Sequence, residues 1–109
     1  MKLLIVGSRC ISNFDLEPYI PLEADTIISG GAKGIDALAE RYACEHGLRM
    51  VVVRPQYDRY RRAAPLKRNE EMVDMADEVL GIWDGISKGT AYTLRYAEKQ
   101  GKHVRLIRL

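Results

Sequence analysis

Five short apolar runs, each the length of one strand, alternate along the chain with segments of helical periodicity. No other feature limits the fold as much. The runs are LLIVG (3–7), TIIS (26–29), MVVV (50–53), EVLGIW (78–83) and VRLIRL (104–109). The first four are nearly unbroken and mostly β-branched, as expected of strands buried on both faces. Charges interrupt the last one, which suits an edge strand with a wet face. Ile35, Leu38, Ala39, Tyr42 and Ala43 trace a helical stripe that stops at Gly47. A second helix is expected from about Pro65, turning Leu66, Met72, Val73 and Ala76 inward, and a third from about Thr90 to Gly101. Residues 14–20 are expected to form a brief helix. Such alternation demands right-handed crossovers, so the expected class is α/β, three layers around a five-stranded, mostly parallel sheet.

At 109 residues and 47% hydrophobic content, the chain is expected to be one domain, residues 1–109, whose core needs neither metal nor disulfide. The 17 basic and 15 acidic residues leave a net charge of +2, too balanced for a protein that grips nucleic acid by bulk charge. Cys10 falls in a loop and Cys44 on the apolar side of a helix, and both read as reduced thiols of a cytoplasmic protein. LLIVG is too short for a signal segment, and no run approaches membrane-spanning length, so no membrane partner is expected. His46 and His103 lack ligand-type neighbours at metal-binding spacing, so no metal and no cofactor are expected. Ser8, Ser29 and Ser87 have no evident histidine base, and no GxSxG elbow is present.

In open α/β sheets, ligands bind beyond the carboxyl ends of the strands, near the point where strand order reverses. Three loops there share a composition. They are Gly7-Ser8-Arg9, the stretch from Ser29 through Gly30, Gly31, Lys33 and Gly34 to Asp36, and the stretch from Asp84 through Gly85, Ser87, Lys88 and Gly89 to Thr90. Their spacing fits neither GxxxxGKS/T nor GxGxxG, so the common nucleotide motifs do not apply. Each one alone is an ordinary tight turn, but three on one rim make a cradle of N–H donors for an anion. Glycine lets backbone approach a phosphate, the hydroxyls donate, and arginine offers a bidentate fork.

Asp36 has two readings, a first-turn carboxylate that favours the helix dipole or a cradle group for sugar hydroxyls or acid/base chemistry. Between 54 and 68, Arg54, Arg59, Arg61, Arg62, Lys67 and Arg68 crowd together with Tyr57 and Tyr60 interleaved. Such a loop either is a solvated surface or folds over an anionic ligand with a tyrosine against a base. Arg68 and Asn69 stand apart, since a helix start can hold them toward the cradle. Trp83 reads as a core residue with one exposed edge in preference to a stacking partner.

GSR, SGGAKGIDALAERYA, APLKRNEEM and WDGISKGTAYTLRYAEKQGKHV, in this order, resemble the SLOG superfamily, in particular its small YspA and YpsA-like proteins. The similarity covers nearly the whole chain. SGGAKGID is also similar to the SGxAxGID signature of DNA-processing protein A, and the lonely-guy phosphoribohydrolases share the fold with a PGGxGTxxE motif. The resemblance implies a single SLOG-type Rossmann-like domain that binds a nucleotide or nucleotide-derived ligand. It carries a binding role to Gly7, Ser8, Arg9, Gly30, Gly31, Gly34, Asp36, Arg68, Asn69, Gly85, Ser87, Gly89 and Thr90, to which the loop composition adds Ser29. The glutamate that the phosphoribohydrolases place two residues after the threonine of their GT pair has no counterpart, since Tyr92 stands there and no acidic residue occurs before Glu98.

The favoured expectation is a sensor or sequestering module for a nucleotide-type small molecule. One alternative is a hydrolase of N-glycosidic or phosphoester bonds, with Asp36 as the candidate catalytic residue and Arg9 or Arg68 on the leaving phosphate. The other is a binder of single-stranded nucleic acid through the basic stretch, the less favoured partner. A homodimer or higher homo-oligomer is expected, with Tyr92 and Tyr96 as interface anchors.

Overall fold

The computed structural model describes residues 1–109. Five strands form one sheet: β1 (Lys2–Gly7), β2 (Thr26–Ser29), β3 (Arg49–Val52), β4 (Glu78–Trp83) and β5 (His103–Arg108). Four α-helices connect them: α1 (Ile35–Glu45), α2 (Tyr57–Tyr60), α3 (Ala64–Met75) and α4 (Lys88–Lys99). The strand order is β3-β2-β1-β4-β5, and every neighbouring pair runs parallel. The sheet is therefore wholly parallel, where a mostly parallel one was expected. Strand order reverses between β1 and β4, which opens a crevice beyond Gly7 and Trp83.

The unbroken apolar runs are explained by two cores. Side chains alternate across a strand, so Leu3 and Ile5 of β1 enter the core beneath α1, whereas Leu4 and Val6 enter the one beneath α3 and α4. Ile27 and Ile28 divide in the same way, as do Leu80 and Val79. Each such side chain contributes about 1.5–3 kcal/mol by leaving water. Gly81 faces α4, and a Cβ there would stand 2.6 Å from Leu94 Cδ2, so its bareness sets how closely α4 lies on the sheet. β5 is the expected edge strand, with Leu106 46% exposed.

α1 buries Ile35, Asp36, Ala39 and Ala43 and ends at Gly47, whose φ of +66° lets Leu48 N–H return to Ala43 O at 2.9 Å. Cys44, expected on the apolar side, is exposed. The buried stripe runs through Ala39 and Ala43, and the next residue turns about 100° away from it. Leu66 also departs from expectation, being 40% exposed, because the first turn of α3 lies over the crevice and not over the sheet. The brief helix expected over 14–20 is a single 3-10 turn at Glu17–Tyr19. α4 begins at Lys88, one residue after Ser87 and two before the expected start.

α3 and α4 lie side by side, with Tyr92 donating to Glu70 and Tyr96 donating to Asp74 at 3.0 Å. Both hydroxyls expected at an interface are thus engaged inside the chain. No helix is long and apolar enough to cross a membrane.

Candidate functional site

The crevice at the strand-order reversal widens into a cavity of about 450 Å³, within the ~300–1,000 Å³ range of small-molecule sites. Its wall takes Val6, Gly7, Arg9 and Cys10 from the end of β1 and the loop after it, Ala32 from the loop after β2, Asp36 from the first turn of α1, and Pro65, Leu66, Arg68, Asn69 and Met72 from α3. Asp84, Ser87, Gly89, Thr90 and Thr93 complete it from the loop after β4 and from α4. Three loops distant in sequence therefore share one hollow, because consecutive parallel strands end on the same side of the sheet.

Eight of the residues singled out in the sequence line that hollow: Gly7, Arg9, Asp36, Arg68, Asn69, Ser87, Gly89 and Thr90. The other six stand behind it. Ser8 is 1% exposed and ties the loops together, its Oγ accepting from Asp84 N–H at 3.1 Å while its carbonyl accepts from Ile11 and Ile35. Ser29 donates to Asp36 O and accepts from Gly31 N–H, each at 3.3 Å. Gly31, at φ +73°, lies under Arg54, and Gly85 lies under Arg108. Gly34, at φ +76°, passes so close to the first loop that a Cβ would meet Arg9 O at 2.5 Å. Gly30 separates two charges, since a Cβ there would stand 2.7 Å from Arg68 Nη1 and 3.0 Å from Asp36 Oδ2.

Asp36 and Arg68 are both buried residues, each 8% exposed. Arg68 Nη1 donates to Gly30 O at 2.7 Å and to Val53 O at 3.3 Å, and its Nε donates to Asn69 Oδ1 at 2.8 Å. Three bonds thus fix the guanidinium, and Asn69 is what orients it. Asp36 Oδ2 accepts from Ala32 N–H at 3.2 Å. Burial nonetheless raises the Asp36 carboxyl above its ordinary value, outweighing that bond and the charge of Arg68. Burial likewise lowers Arg68, against the pull of Asp36. Each of the two charges therefore loses more by leaving water than its neighbour returns, a balance typical of functional sites.

The opposite wall begins with Asp84. Its Oδ1 accepts from Ile86 N–H at 2.8 Å and Ser87 N–H at 2.9 Å, and its Oδ2 accepts from the Cys10 thiol at 3.2 Å. The Ser87 and Ile86 amides, followed by Cys10, hold this carboxyl well below the usual carboxylate range. The same bond to Asp84 raises the Cys10 thiol. Beyond Ser87 the backbone is open, because the first amide of α4 with an acceptor in the chain is Ala91, bonded to Ser87 O at 3.2 Å. The N–H groups of Lys88, Gly89 and Thr90 have none, and they form the positive end of a 12-residue helix.

Cys10, Asp84 and Thr93 were not anticipated in the sequence. An aspartate three residues before Ser87, at the start of a glycine turn, was the available signal for Asp84, since this spacing makes an Asx-type loop. Thr93 lines the cavity one turn into α4, and its hydroxyl donates to Gly89 O at 2.8 Å. Trp83 lies outside the cavity, its Nε1 donating to Ser87 O at 2.9 Å and Arg108 lying over its ring. No three His, Cys, Asp or Glu side chains gather as metal ligands.

The model of the YspA, cpYpsA-related SLOG family (YAcAr) matches residues 17–60, from the 3-10 turn through the glycine loop and α1 to the end of α2. Comparison with curated proteins and with solved structures gave no match. The matched segment holds the SGGAKGID loop and Asp36, so over that stretch, under half of its length, the chain is similar to this SLOG family.

Proposed function

We propose that the chain binds a nucleotide or nucleotide-derived ligand in the cavity at the strand-order reversal, as a sensor or sequestering module. The observation that carries this reading is the row of open amides at Lys88, Gly89 and Thr90, two of which belong to residues lining the cavity. Preformed N–H donors at the positive end of a helix suit a phosphate. Arg9 and Arg68 supply positive charge to the same hollow, and the carboxylate of Asp36 suits the hydroxyls of a sugar. Native mass spectrometry of protein purified from its host tests for a retained molecule, and equilibrium dialysis with matched nucleosides and nucleoside monophosphates tests the phosphate. Monophosphates are expected to bind at least tenfold more tightly than their nucleosides, and equal affinity overturns the assignment.

A hydrolytic reading has one specific observation behind it, the buried Asp36 with its raised carboxyl beside Arg68. A carboxyl raised in this way is a stronger base than an exposed aspartate, as proton transfer requires. Product analysis after incubation with a nucleotide panel decides the matter. Turnover that Asp36→Asn abolishes while binding persists identifies an enzyme, and no turnover leaves the binding module.

A further inference from the structure

Resting on the nucleotide reading, we infer that Tyr57 is the platform on which an aromatic base stacks, so that the ligand is a base-bearing nucleotide and not a bare sugar phosphate. No aromatic side chain lines the cavity. A base bound there needs a ring from the rim, and the other rings are occupied. Phe14, Tyr19 and Tyr42 pack against the core beneath α1, on the opposite face of the sheet from α3 and α4. Tyr92 and Tyr96 bond across to α3, Trp83 is covered by Arg108, and Tyr60 is covered by Arg59 at 5.1 Å.

Tyr57 alone offers a free face, being 59% exposed at the first position of α2. The short helix α2 that carries it packs against α3, whose Pro65, Leu66 and Arg68 line the cavity.

The segment that carries Tyr57 has no evident role in the core. Neither α2 nor the turn at Arg61–Ala63 that follows it contains a buried residue. Arg61 is the only non-glycine residue with positive φ, at +50°, a backbone conformation that L side chains rarely adopt. An apolar ring held in water on a strained excursion, next to a cavity that lacks rings, is consistent with recognition at a functional site. Arg54, Arg59 and Arg62 on the same stretch add positive charge suited to an anionic ligand.

Calorimetric titration with adenosine 5′-monophosphate and with ribose 5-phosphate tests the inference. The monophosphate is expected to bind on the order of ten- to a hundredfold more tightly than the sugar phosphate, the usual worth of one stacked base. Tyr57→Ala is expected to remove most of that ratio while leaving ribose 5-phosphate affinity unchanged, and Tyr57→Phe is expected to keep it. Because Tyr57 is exposed, the melting temperature should not move. A ratio that survives Tyr57→Ala overturns the stacking role and leaves the phosphate reading intact. Failure of the unaltered protein to bind either compound overturns the function itself, and this inference with it.

Discussion

Gly89 is a glycine that the fold has no use for. It is the second residue of α4, its φ is not positive, and a Cβ added there meets nothing within 4 Å. Glycine inside a helix is disfavoured relative to alanine by about 0.5–1 kcal/mol, so Gly89→Ala is expected to stabilise the chain by about that amount. For a domain of this size the gain corresponds to a rise in Tm of roughly 2–6 °C by differential scanning calorimetry. Binding should move the other way. The new methyl sits at the middle one of the three open amides, and displacing an anion from one charge-assisted hydrogen bond costs about 1.5–3 kcal/mol, or roughly ten- to a hundredfold in Kd. Opposite signs for stability and affinity are the signature of a glycine kept for a ligand. A lower Tm, or an unchanged Kd for nucleoside monophosphates, refutes the reasoning.

Gly34→Ala serves as a contrast. Positive φ and a Cβ 2.5 Å from Arg9 O combine backbone strain with overpacking, so chemical denaturation should show a loss of about 2–5 kcal/mol, and a loss under about 1 kcal/mol contradicts the close packing of the two loops. For Asp36 the sign follows from its raised carboxyl: the folded state holds the proton more tightly than the unfolded one, so this group's contribution weakens stability as pH rises from its ordinary value through the folded one. Thermal melts of Asp36→Asn from about pH 4 to 7 should therefore show its Tm gaining on the unaltered protein toward the upper end, and a pH-independent difference refutes the burial cost. Cys10 should be alkylated by iodoacetamide at pH 8 more slowly than an unhindered cysteine in a short peptide, since the bond to Asp84 disfavours the thiolate. Site-resolved mass spectrometry giving the peptide's rate contradicts that bond.

The sheet was legible because strands buried on both faces must be apolar at every position, and LLIVG and TIIS have no other use in a chain this short. α1 was legible from its stripe and its glycine stop. α2 was not, since Tyr57–Tyr60 is one turn long and buries nothing, so it has no periodicity to read. Composition drew attention to the right loops but could not separate the residues that face the cavity from those that brace it. Gly30, Gly31, Gly34 and Gly85 look alike in sequence to Gly89, yet each lies against its own neighbour: Arg68, Arg54, Arg9 and Arg108. Which side of a turn a glycine presents depends on contacts between segments far apart in sequence. Asp84 was named only as the start of its loop, because its bonds to Cys10 and Ser8 join residues 74 and 76 positions away, even though those to Ile86 and Ser87 are local.

Ser8 joins its own loop at Ile11, the start of α1 at Ile35, and the end of β4 with the loop that follows it, at Ile82 and Asp84, through four hydrogen bonds made by one small residue. Three connections that would otherwise fluctuate independently are thereby fastened into a single frame as the chain folds, with no visitor required. A molecule arriving at this frame has little loop entropy to remove, so its association should be fast and its heat-capacity change small, limited to the area it covers. The slow, adjustable part of recognition is left to the one stretch of the rim that Ser8 does not reach.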